Sequence, residues 1–157
     1  MSEPASAATM DAVEYIASRQ PFVVRRRVRW GECDPAGVVY TGRFTDYLLS
    51  AVLLFMDHLM DGPSAQYRAA QGIETPCKGM SLVFQSALWP GDVFDMRVRV
   101  GEIRDSSFDL LVAATRPDGA PVFEGRFSPI CIPVTERRSI PIPADLRSRL
   151  ETAAQNP

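Results

Sequence analysis

Trp30-Gly31-Glu32-Cys33-Asp34-Pro35-Ala36-Gly37-Val38-Val39-Tyr40, followed by TGRFTDYLLSAVLLFMDHLM through residue 60, is the stretch from which the fold follows. Pro35 fixes its own φ and keeps Asp34 out of the helical region, while Gly37 permits a positive φ. The loop therefore holds a carboxylate on a constrained turn directly ahead of a helix. Helix N-termini carry unpaired N–H groups and partial positive charge, which suits a developing oxyanion.

The helix is apolar nearly all round. One stripe reads Phe44, Leu48, Ala51, Phe55 and Leu59; a second reads Leu49, Leu53, Met56 and Met60. Both follow helical spacing, which predicts a helix wrapped by protein on most sides, with Gly62 as its stop. At roughly 30 Å such a segment could cross a membrane. Asp46, Asp57 and His58 interrupt it, so a core helix is expected, with no membrane association.

Upstream, residues 22–30 alternate, with Val24, Val28 and Trp30 pointing inward and Arg25, Arg27 and Arg29 outward. Arg26 falls on the inward side, which simple alternation does not explain. Residues 1–10 are small and polar and are expected to be disordered. Together with a short helix over 11–19, facing Val13 and Ile16 to the body, they make residues 1–20 an extension and 21–157 the domain.

Downstream, Ser64–Gln71 reads as a short helix. Strands follow over 80–89, 93–103, 107–116 and 122–132, separated by Pro90-Gly91-Asp92 and Pro117-Asp118-Gly119 turns. A linker over 133–143 leads to a C-terminal helix from about Ala144. The order predicts an α+β domain in which an antiparallel five-stranded sheet wraps one long helix. Its exposed edges are simplest to cover with another copy.

A chain of 157 residues is one domain by prior. A net charge of −2 argues against a nucleic-acid partner. Cys33, Cys77 and Cys131 lack metal-ligand spacing, and with a single histidine no zinc site is expected. No signal-peptide pattern opens the sequence, so a cytoplasmic location is expected.

The loop from Trp30 to Tyr40 resembles the active-site loop of hotdog-fold acyl-CoA thioesterases, specifically the 4-hydroxybenzoyl-CoA thioesterase-like family. Pro90-Gly91-Asp92, Arg104-Asp105-Ser106-Ser107-Phe108 and Ile142-Pro143 sit where that family has such features, and the resemblance spans roughly residues 24–150. It implies a homodimer or homotetramer with active sites at subunit interfaces. It also implies hydrolysis of an acyl-CoA thioester without metal or cofactor. By motif matching Asp34 is the catalytic aspartate, and the backbone N–H of Thr41, with that of Gly42, polarises the thioester carbonyl. Tyr40 and Leu49 are candidate substrate contacts, and Arg104, Arg137 and Arg138 candidate contacts for CoA phosphates. The acyl group is aromatic by resemblance; a medium-chain aliphatic group fits as well.

Asp34 can act as nucleophile or as general base, or merely cap its turn. Asp46, one turn into the helix, is the rival carboxylate, and Asp57 is placed at the solvated end. Cys33 is read as buried and His58 as a surface residue. The outward arginine rows on the strands are read as a solvated sheet face. No Gly-x-Ser-x-Gly elbow occurs, which excludes a serine hydrolase of that kind. Two other readings stay open: hydrolysis of acyl groups on acyl carrier protein, and a hotdog scaffold that binds acyl-CoA without turnover.

Overall fold

Alternating apolar residues put Phe94, Met96, Val98 and Val100 on the buried face of strand β5 (Val93–Ile103), and Phe108, Leu110, Val112 and Ala114 on that of β6 (Phe108–Thr115). These two strands form the centre of a six-stranded antiparallel sheet. Its other members are β1 (Glu14–Arg19), β2 (Phe22–Arg27), β4 (Cys77–Phe84) and β7 (Pro121–Pro129), in the order β1-β2-β5-β6-β7-β4. The computed structural model describes residues 12–157, so the expected disorder of residues 1–10 lies outside the described chain.

The sheet has six strands where five were expected, because residues 14–19 extend it instead of forming a helix. β1 pairs with β2 from Glu14 opposite Arg26 to Arg19 opposite Phe22. That ladder satisfies backbone groups along β2's other edge, which outweighs the weak helical spacing of Val13 and Ile16. Ile16 packs on the core, but Val13 is exposed. β2 also ends earlier than expected. Val28 exchanges backbone bonds with the turn at Gly91 and Asp92, and the chain then bends into a 3-10 turn, Trp30–Glu32. Trp30 is accordingly 84% exposed, not inward-facing.

β4 stops at Phe84, opposite Phe123, because its partner β7 begins at Pro121. The expected single strand over 122–132 breaks after Pro129. Ile130 and Cys131 turn their N–H groups to Pro76 and Ser106, and β8 (Ile132–Pro133) pairs instead with β3 (Ile73–Glu74) in a separate small sheet.

Helix α1 (Arg43–Leu59) lies across the buried face of the large sheet through Phe44, Tyr47, Leu48, Ala51, Val52 and Phe55. It approaches closely because β7 has glycine beneath it: a Cβ on Gly125 would stand 2.8 Å from Leu48 Cδ1. Phe44, Tyr47, Phe94 and Phe123 interlock edge-on around this contact. The second stripe behaves otherwise. Leu49 is 40% and Leu53 53% exposed, so one chain sheathes its helix on one side only. The helix ends through Asp61, whose φ is +55°, and not through Gly62. Helix α2 (Ser64–Gln71) follows. Helix α3 (Ala144–Gln155) buries Leu146 and Leu150 and packs against β5 and α1. Among the described residues no helix is long and apolar enough to cross a membrane.

Because Leu48 is fully buried it has little room to yield to a new methyl group. Gly125→Ala should keep the fold and lower the free energy of urea unfolding by about 1–3 kcal/mol; an unchanged value would place the helix farther from β7.

Candidate active site

A buried carboxylate requires partners, and Glu32 is only 7% exposed. Its Oε2 accepts the Arg29 backbone N–H at 2.8 Å and the Tyr47 hydroxyl at 2.9 Å, while Oε1 meets the Arg26 guanidinium. Arg26 also pairs with Glu14 at 2.9 Å and lies 4.6 Å over the Tyr47 ring, and Glu14 takes the Ser50 hydroxyl. This is why Arg26 points inward: two carboxylates and an aromatic face receive it. Burial pushes the Glu32 carboxyl up, but the Arg29 N–H, Arg26 and Tyr47 together hold it below its ordinary value. Burial and the bond to Glu32 hold the Tyr47 phenol well above its own.

From this anchor the chain folds back on itself as a tongue. The Glu32 carbonyl accepts the Tyr40 N–H at 3.0 Å, Cys33 bridges Val39, and Asp34 N–H reaches the Val38 carbonyl at 2.9 Å. Gly37, at φ +83°, returns its N–H to the Asp34 carbonyl. Val39 ties the tongue to the segment ahead of the Pro90-Gly91-Asp92 turn by donating its N–H to the Leu88 carbonyl. Asp34 is half-buried; its Oδ1 accepts the Ala36 N–H at 2.8 Å, and its Oδ2 makes no bond among the described residues.

The tongue runs into α1, whose N-cap is Gly42. The N–H groups of Tyr40, Arg43 and Phe44 are all taken up, by Glu32, Tyr40 and Thr41 respectively. Those of Thr41 and Gly42 find no acceptor among the described residues. Tyr40 is exposed, and its ring covers Gly42 so closely that a Cβ there would lie 2.7 Å from a ring carbon. One loop thus brings together Asp34, Tyr40, Thr41 and Gly42.

The remaining candidates lie elsewhere. An open cleft of about 740 Å³ runs along the exposed stripe of α1, walled by Leu49, Leu53, Met56, Phe127 and Ile132, with Arg137 on its rim. Arg137 has no side-chain hydrogen bond or ion pair among the described residues. The Asp34 tongue does not line this cleft within one chain. Arg138 is exposed and pairs with Glu136. Arg104 is committed to the fold: its two terminal nitrogens clasp Asp109 at 3.0 and 2.9 Å and one also reaches Glu102 at 2.8 Å. Asp109 is buried, also takes the Ser128 hydroxyl, and is held below its ordinary value chiefly by Arg104.

Asp46 is exposed and pairs with Arg43 at 3.2 Å, one helical turn away. Asp57 is not simply solvated; its carboxylate accepts the Ser64 N–H at 2.8 Å. Cys33 is half-buried rather than buried. His58 stacks on Phe22, and its Nδ1 faces Arg19, so burial and that guanidinium lower its pKa. In the outward arginine rows Arg25 is paired with Asp95 at 2.7 Å, while Arg97 and Arg99 are exposed. The sequence reading missed Glu32 and Tyr47. The signal available was the unexplained inward Arg26, since a buried guanidinium calls for a buried carboxylate.

A sequence model of the thioesterase-like superfamily matches residues 28–150. Solved structures resemble this one along most of their length. A thioesterase superfamily protein from Jannaschia sp. is 25% identical, with 90% of this chain and 98% of that one covered, at a TM-score of 0.76. A 1,4-dihydroxy-2-naphthoyl-CoA thioesterase from Synechocystis is 20% identical, covering 82% and 94%, at 0.74. A hypothetical protein from Staphylococcus aureus in complex with CoA is 16% identical, covering 92% and 87%, at 0.80. No curated protein matches the chain in sequence.

The Arg104–Asp109 clasp predicts a stability defect, not a binding one. A carboxyl held low in the folded state contributes stability that is present above its ordinary value and lost as pH falls. Asp109→Asn should therefore lower the unfolding midpoint at neutral pH, with the gap to wild type closing as pH drops below 3.8. A gap that is constant with pH would show the pair to be energetically idle.

Proposed function

The chain belongs to the thioesterase-like superfamily and is a thioester hydrolase, and we propose that it hydrolyses an acyl-CoA ester to the free acid and CoA through the carboxylate of Asp34. The observation that carries this reading is the pairing, on one tongue, of a carboxylate whose Oδ2 is free among the described residues with two amides that find no acceptor among them, at the opening of a 17-residue helix. Such amides suit the oxyanion that forms when a thioester carbonyl is attacked, and one donor of this kind is typically worth a factor of about 100–1,000 in rate.

Two routes use these groups. In the first, Asp34 adds to the carbonyl carbon, the C–S bond breaks with departure of the CoA thiolate, and water cleaves the resulting anhydride to restore the carboxylate. In the second, Asp34 takes a proton from water as the water oxygen adds, and the C–S bond breaks with that proton passing to sulfur. Each consumes one water and needs no group beyond this chain and its substrate. The apolar walls of the cleft beside α1 support an apolar acyl group, aromatic or medium-chain, and the CoA-bound Staphylococcus aureus structure supports CoA as the carrier. Arg137, on the rim and unpaired among the described residues, is the better-placed of the arginine candidates for a phosphate.

The reading includes a second copy. β4 is an edge strand, and Met80, Val83 and Phe84 on it are exposed like Leu49 and Leu53 of α1. Association along that edge covers these apolar groups and presents the tongue of one copy to the cleft of the other. It thereby joins the two halves that one chain keeps apart.

Thiol release from a panel of aromatic and aliphatic CoA esters tests the activity. Asp34→Asn should abolish it with the fold intact; retained turnover would remove Asp34 from the reaction. Because backbone N–H groups act, Thr41→Ala should change little and Thr41→Pro should be severe, so equal effects would exclude the amide role. A single turnover in ¹⁸O-water labels Asp34 only on the nucleophilic route, when water adds to the aspartyl carbonyl of the anhydride. Met80→Lys should shift the protein toward monomer in sedimentation equilibrium and lower turnover with it, whereas an active monomer would break the link between assembly and site.

A further inference from the structure

We propose that Glu32 is the positioning residue of this reaction, holding Asp34 and the Thr41–Gly42 amides in one fixed relation through its bond to Tyr47. The inference rests on the roles given above to Asp34 and to those amides.

At Glu32 both halves of the tongue are tied to the body, and the returning half is fastened again where the Val39 N–H reaches the Leu88 carbonyl. The Glu32 side chain reaches β2 through Arg26 and α1 through the Tyr47 hydroxyl at 2.9 Å. Its carbonyl holds the Tyr40 N–H at 3.0 Å, immediately before the two open amides, and the chain from Glu32 reaches Asp34 in two residues. Tyr47 stands one turn inside α1, is 1% exposed, and packs against Phe44 and Phe94, so its hydroxyl is a rigid reference. The groups facing Glu32 are thus Arg26 from β2, Tyr47 from α1 and the Arg29 N–H, with Glu14 of β1 on the far side of Arg26.

A hydrophobic residue could seal this corner at no loss, since buried ion pairs are often neutral against well-packed apolar replacements. What the carboxylate adds is direction: three donors fix one side chain from three sides. A catalytic group displaced by about 1 Å can lose about 100-fold in rate. No residue of the tongue lines the cleft that would hold the acyl group, so the effect falls on turnover and not on binding.

The test uses the full chain carrying Glu32→Gln, Tyr47→Phe and both together. Glu32→Gln should lower kcat about 10–100-fold with KM within about threefold of wild type. Tyr47→Phe should lower kcat in the same sense by less, and the double variant should be no slower than Glu32→Gln, because both act on the same contact. Amide exchange at Asp34 and Tyr40 should quicken in Glu32→Gln while β5 and β6 stay protected. An unchanged kcat, or additive single effects, would overturn the proposal. Activity lost in step with protection in β5 and β6 would reduce Glu32 to a structural residue. If wild type cleaves no ester in the panel, the proposed activity fails first. The exchange data still decide this inference, since unaltered tongue amides in Glu32→Gln would overturn it.

Discussion

The buried Glu32 carboxylate, with the Arg26 guanidinium on one side and the Tyr47 hydroxyl on the other, is the constraint on which the local structure depends. It joins three successive pieces of chain, the second strand, the tongue and the long helix, whose side chains meet because the chain folds back on itself. Each partner has its own reason to stay. Arg26 is held by Glu14 as well, Tyr47 is locked among aromatic rings, and the Arg29 N–H would otherwise lack a partner. Withdrawing the Glu32 carboxylate leaves the Arg29 N–H and the Tyr47 hydroxyl without this acceptor, which is why the tongue has one conformation to adopt.

The helix that carries the open amides is placed by packing, not by polar groups. Phe44, Leu48, Ala51 and Phe55 rest on the sheet, and the missing side chain at Gly125 lets the helix axis come close. Its other stripe has no such cover. Leu49 and Leu53 face a cleft, and the neighbouring edge strand leaves apolar groups exposed. The same surface that a single chain leaves unfinished is the one that a bound acyl group and a second copy would both occupy.

Charge on this protein divides into fastened and open groups. Arg25, Arg26 and Arg104 are each clasped by a carboxylate and serve the fold. Arg137 has no such partner among the described residues, and it stands on the cleft's rim. Arginines near loops look alike in a sequence, but Arg104 already commits three of its five N–H donors to Asp109 and Glu102, which fixes its guanidinium in the fold.

Periodicity alone determined a good deal. The faces of β5 and β6, the limits of Ser64–Gln71, the start of the helix from Ala144, and the long helix after a constrained Asp-Pro loop were all legible, because local spacing dictates them. Other features depended on partners distant in the chain. Residues 14–19 became a sixth strand because β2 had an open edge, and Trp30 turned outward because Val28 is fastened to Asp92. Asp34 was visible as a candidate, but Glu32 and Tyr47, which hold its loop, were not. Their meaning comes from Arg26 arriving at the same point from another strand, and such a meeting is decided by packing in three dimensions, where hydrogen-bonding groups removed from water must find one another.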